Sequence, residues 1–151
     1  MRRAEHHSRA LQTVIVGVAV AALIFGFALA KFLPANADTL RVHLGTLESS
    51  IAEALTLARA DDEGRLTRNY FDTELDLLRE DVEKTAQGLA SARPLPELRS
   101  RFAEAEGLAR TAADGLRSLG LAGAPAESVI AGEATLAAIQ ARAKAMKHEL
   151  E

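Results

Sequence analysis

Residues 38–62 read DTLRVHLGTLESSIAEALTLARADD. Leu40, Leu44, Leu47, Ile51, Ala54 and Ala58 recur at alternating steps of four and three, so all six fall on one face of a helix. Charged and small polar residues fill most of the other positions. Asp38 or Thr39 can cap the start, and Asp61-Asp62-Glu63-Gly64 ends it.

The same rhythm continues outward from this stretch. A second helix is predicted from Phe71, Leu75, Leu78, Val82, Thr85 and Leu89, after which Pro94 and Pro96 punctuate the chain. A third shows Leu98, Phe102, Ala105, Ala109, Ala112, Leu116 and Leu119. Residues 120–125 (GLAGAP) form a loop in which Gly120 can supply a helix C-cap. The fourth carries Val129, Gly132, Leu136, Ile139, Ala143, Met146 and Leu150. No segment alternates with period two. Four amphipathic stripes of similar width, joined by short connections, close on one another as an antiparallel, up-down-up-down four-helix bundle with coiled-coil-like spacing. The expected fold is all-α. Its alanine-rich core lets helices approach closely while burying little area per residue.

Upstream lies a different kind of segment. Leu11 to Ala30 (LQTVIVGVAVAALIFGFALA) carries no charge, and twenty residues of helix rise about 30 Å, the hydrocarbon thickness of a bilayer. Residues 11–33 are therefore read as a single transmembrane signal-anchor helix, with a cytoplasmic tail at 1–10, a linker at 34–38 and an extracytoplasmic bundle at 39–151. Arg2, Arg3 and Arg9 precede the run against one acid, Glu5, which orients the N-terminus to the cytoplasm of a bacterial inner membrane and the bundle to the periplasm. Arg2-Arg3 makes a poor twin-arginine signal, because Ala4-Glu5-His6-His7 follows. An alternative is cleavage: Ala35-Asn36-Ala37 is a small-x-small site, and cutting after Ala37 releases a soluble secreted bundle. The length of the run and the intervening Lys31-Phe32-Leu33 favour retention.

Charge and composition narrow the functions. The 114 residues after Ala37 hold 14 Lys+Arg and 20 Asp+Glu, a net of −6, which argues against nucleic acid as a partner. There is no cysteine, hence no disulfide, thiolate metal site or covalent haem. A di-iron bundle needs paired Glu-x-x-His motifs, and neither His43 nor His148 sits three residues after a glutamate. An axial His43/Met146 pair at one bundle end is conceivable for non-covalent haem. The simpler reading makes Met146 core filler and leaves both histidines on solvated faces. Asp72, Asp76 and Glu80 repeat every fourth residue, yet Arg68, Arg79 and Lys84 stand in pairing distance along the same helix. Asp61-Asp62-Glu63 lacks the spaced ligands of a calcium loop. No nucleophile elbow or phosphate-cradling glycine loop is present. The expectation is no catalytic residue, no metal and no cofactor: not an enzyme.

Two features point to contact with other chains. Ala22, Gly26 and Ala30 form a small-residue ridge along the apolar run, as in helix pairs that touch closely in membranes. Leu55, Leu57, Leu77 and Leu108 lie beside the main stripes, and Leu77 and Leu108 are the candidate partner contacts. The expected role is binding or scaffolding, as an accessory subunit of a membrane complex, with the bilayer, membrane or periplasmic proteins or a second copy as partners. The alternative is a small-molecule-binding, sensor-like domain, for which a polar residue must intrude on the core; only Thr85 does. In architecture the pattern resembles the extracytoplasmic four-helix sensor domains of chemoreceptors and histidine kinases. Those are bracketed by two membrane helices, whereas one apolar run of that length is present here.

Overall fold

The computed structural model describes residues 34–120 and 126–150. The apolar run, the ridge of Ala22, Gly26 and Ala30, and the loop after Gly120 lie outside them. Four helices make up the described part: α1 (Ala37–Asp62), α2 (Arg68–Ser91), α3 (Arg99–Gly120) and α4 (Ala126–His148). They pack as an antiparallel bundle, each helix against its two neighbours, with α1 and α3 also meeting across the centre. Among the described residues no helix is long and apolar enough to cross a membrane.

The helix ends follow from local chemistry. α1 begins earlier than the stripe alone indicates, and its cap is Asn36 rather than Asp38 or Thr39. Asn36 is extended, and its side-chain oxygen accepts from the Thr39 backbone N–H at 2.9 Å and from the Thr39 hydroxyl at 3.0 Å. α1 ends in a Schellman motif. Gly64 takes φ +65°, its N–H donates to Asp61 O at 2.8 Å, and the Arg65 N–H donates to Ala60 O at 2.9 Å. Thr67 caps α2, which stops at Ser91 because the residue preceding Pro94 is pushed out of helical geometry. A 3-10 turn, Pro96–Leu98, then leads into α3. Gly120 is the last residue of α3, and its φ is not positive, so it does not act as the left-handed cap expected of it.

The core is the set of stripes. All six α1 positions and all six α2 positions named above are buried, as are Phe102 through Leu119 on α3 and Gly132, Leu136, Ile139, Ala143 and Met146 on α4. Leu98, Val129 and Leu150 are partly buried against the rim of the core. Ala86, Ala113 and Gly115 widen the stripes on α2 and α3. Two close approaches depend on glycine. A methyl on Gly132 would meet Ser118 Oγ at 2.6 Å, and one on Gly115 would meet Leu136 Cδ2 at 3.1 Å, so α3 and α4 press together where neither helix has a side chain. The Ser118 hydroxyl donates to Gly115 O at 2.7 Å, which holds it in place there.

One tie was not legible in the sequence. Ala35 is buried, its N–H donates to Arg93 O at 2.9 Å, and the Leu95 N–H donates to Ala35 O at 3.2 Å. This short parallel bridge fastens the residue before the cap to the α2–α3 connection. At the same end of the bundle the C-terminus of α4 is held by arginines of two neighbouring helices. Arg41 of α1 donates to Leu150 O, and Arg101 of α3 donates to Glu149 O at 3.3 Å. Cations placed at exposed carbonyls also complement the helix dipole.

Candidate functional site

Chemistry-bearing side chains are largely absorbed by ion pairs on the bundle surface. Asp72 meets Arg68 at 2.9 Å, Asp76 meets Arg79 at 3.1 Å, and Glu80 meets Lys84 at 2.9 Å, the pairing that their spacing implies. Glu80, by hydrogen bond and charge, raises the Lys84 ammonium above its ordinary value. Between helices, Lys147 of α4 pairs with Glu48 of α1, and Arg142 of α4 with Glu104 of α3 at 2.6 Å. Among the described residues no group of three His, Asp or Glu side chains is placed to hold a metal ion.

The two histidines differ, and one departs from expectation. His148 is exposed at the end of α4. His43 does not sit on a solvated face: it is half-buried, with its imidazole laid against Gly88 of α2, where a Cβ would come within 2.8 Å of Cε1. Removal from water lowers its pKa from the ordinary value of 6.5, because burial penalises the charged ring. The physical signal was Gly88 itself, a glycine in the last turn of α2 whose missing side chain makes room for the ring. Met146 is core filler, 2% exposed.

The polar residue singled out within the stripes, Thr85, is buried, and its hydroxyl donates to Asp81 O of its own helix at 2.9 Å. That donor is spent locally. Ser50 is a second buried hydroxyl, on the α1 flank, which the stripe pattern did not single out.

The candidate partner contacts separate. Leu77 is 52% exposed, whereas Leu108, Leu55 and Leu57 are partly buried and pack against the core. Tyr70 lies two turns before Leu77 on the same face of α2 and is also exposed. Val42 on α1 and Ile130 on α4 project into solvent as well, and neither was singled out in the sequence. Exposed alanines, Ala134, Ala137, Ala138, Ala141 and Ala145, follow Ile130 along α4.

A groove of about 410 Å³ runs between α2 and α3. Its floor is Ala86, Ala90 and Ala113, whose short side chains leave the space, and its walls are Glu83, Gln87, Arg110, Asp114 and Arg117. Arg117 is held by Asp114 at 2.7 Å and Arg110 by Glu106 at 2.5 Å, so both cations already have partners. Further along the same seam a pocket of about 190 Å³ is lined by Asp72, Leu75, Asp76, Arg79, Leu116, Arg117 and Gly120. Such a groove can take up a small polar molecule only by competing with these pairs. Comparison of the chain with protein-family models, curated proteins and solved structures finds no match in any of the three.

Proposed function

We propose that the protein is a membrane-anchored helical bundle that serves as a binding or scaffolding subunit of a bacterial inner-membrane complex, with the bundle on the periplasmic side. The observation that carries the anchored reading is the place of Ala35 and Asn36 in the fold. Ala35 is buried and bonded through both its N–H and its C=O, and Asn36 caps α1. A chain cut after Ala37 would lose the bridge and the cap together, so the residues a signal peptidase would remove belong to the domain. This weighs against the secreted alternative. Scaffolding rather than catalysis is supported by ion-paired surface charges and by exposed apolar side chains, Tyr70 and Leu77 on one face of α2 among them.

The test is extraction of the full chain from bacterial membranes, followed by intact mass. An anchored protein resists alkaline carbonate and keeps its N-terminal segment. A mature N-terminus at Asp38 and a soluble product would overturn the reading. Mild-detergent purification then identifies the partner, and Leu77→Glu should weaken its recovery. The groove between α2 and α3 supports a second reading, a small-molecule-binding domain. A rise in Tm with a panel of small charged metabolites, abolished by Arg117→Ala, would favour it.

A further inference from the structure

The bridge at Ala35 has a consequence for the bundle end that carries it. In the sequence only Lys31, Phe32, Leu33 and Pro34 separate the uncharged run from Ala35. Five residue steps from Ala30 to Ala35 span at most about 18 Å when fully extended. Ala35 is in turn bonded directly to Arg93 and Leu95, so the α2–α3 connection cannot stray from the start of the bundle.

That connection has an unusual surface. Arg93 and Arg99 are exposed, and neither guanidinium has a carboxylate partner among the described residues, although most other arginines of the bundle do. Glu97 stands between them, exposed and also without an ion pair. Pro94 and Leu95 are half-exposed and apolar, and Pro96 is exposed. Two free cations on either side of a proline-rigid apolar turn match the interface of a bilayer. There phosphate lies within a few ångströms of hydrocarbon, and unscreened attraction reaches about 8 Å at physiological salt.

We infer that the α2–α3 connection, residues 93–99, is a lipid-contact surface on which Arg93 and Arg99 take the phosphates of anionic phospholipid headgroups. This rests on the anchored reading and adds to it a lipid contact at one end of the bundle. The domain's net negative charge disfavours contact through its sides. Arg59, exposed at the opposite end of the bundle, also lacks a carboxylate partner among the described residues, but it stands alone near the acids Asp61, Asp62 and Glu63, whereas Arg93 and Arg99 flank an apolar turn.

The chain has no cysteine, so single labels are specific. Full-length Glu97→Cys and, at the other end of α2, Asn69→Cys are spin-labelled and reconstituted in vesicles of phosphatidylcholine alone or with one quarter phosphatidylglycerol. Collision with a water-soluble nickel chelate reports exposure. The label at 97 should be shielded relative to that at 69, more so with phosphatidylglycerol, and the added shielding should be lost in the Arg93→Gln/Arg99→Gln variant. Equal exposure of the two labels, shielding that ignores lipid charge, or a lipid response unchanged by the double variant would overturn the inference. Alkaline extraction of the same vesicles separates the two failures. Protein washed from the lipid refutes the anchor, whereas protein retained with an exposed label at 97 refutes only the seating.

Discussion

Single residues set how closely the helices approach, and glycines show it best. Gly45 and Gly107 have open space where a Cβ would stand, so Gly45→Ala and Gly107→Ala should each stabilise the bundle by about 0.5–1 kcal/mol through helix propensity and reduced unfolded-state entropy. Gly132→Ala should fail to stabilise, because its Cβ displaces a Ser118 hydroxyl that is bonded to Gly115 O. Gly64→Ala should cost about 1 kcal/mol, since only glycine adopts φ +65° without strain. Urea denaturation of the four variants checks the order. His43 gives the pH response at this scale. Burial lowers its folded pKa below 6.5, so as pH falls through 6.5 the unfolded chain takes up a proton that the folded state refuses. The stability present above pH 6.5 is therefore lost on acidification until the folded-state pKa is passed. Comparing urea midpoints at pH 7.5 and 5.5, His43→Gln should fall less than wild type.

At the scale of the element, α1 is stabilised from outside its own stripe. Asn36→Ala should cost about 1 kcal/mol as a lost N-cap. A fragment beginning at Asp38 lacks in addition the two bridge hydrogen bonds and the buried Ala35. It should be less stable than one beginning at Pro34 by about 2–3 kcal/mol, summing a cap and two bonds of about 1 kcal/mol each. Equal denaturation midpoints for the two fragments would mean that the bridge contributes nothing to folding. α4 is the contrasting element. Its buried face is Gly132, Leu136, Ile139, Ala143 and Met146, while alanines cover much of the rest, so polarity distinguishes its two sides weakly. Ion pairs at its edges, from Lys147 to Glu48 and from Arg142 to Glu104, supplement the packing of that face.

For the whole molecule, a closed core and the proposed partner surface should respond differently to the same chemical change. Leu108 packs against the core cluster, so Leu108→Glu should lower stability by about 1–3 kcal/mol through burial of a carboxylate at its edge. Leu77 is half in solvent, and Leu77→Glu should leave the melting transition nearly unchanged while reducing recovery of any bound partner. Thermal unfolding beside co-purification from the same preparation distinguishes fold from function. Leu136→Ala, at a side chain with no exposure, calibrates the core and should cost about 2–5 kcal/mol.

The sequence by itself determined the helices and the face each one buries. A period of four and three is a local property, and the positions it marks in α1, α2 and α3 are buried almost without exception because each apolar stripe has to leave water. It also determined the ion pairs within α2, where spacing along one helix sets the partner. Tertiary structure decided whatever depends on two elements meeting. The slot of Gly88 filled by His43, the Gly115–Gly132 approach, the packing of Leu108 against the core, and the bridge from Ala35 to the α2–α3 connection all join residues distant in the chain. Their partners depend on how the four stripes are rotated against one another. That rotation follows from side-chain volumes summed over the whole core, which no single stretch of sequence contains.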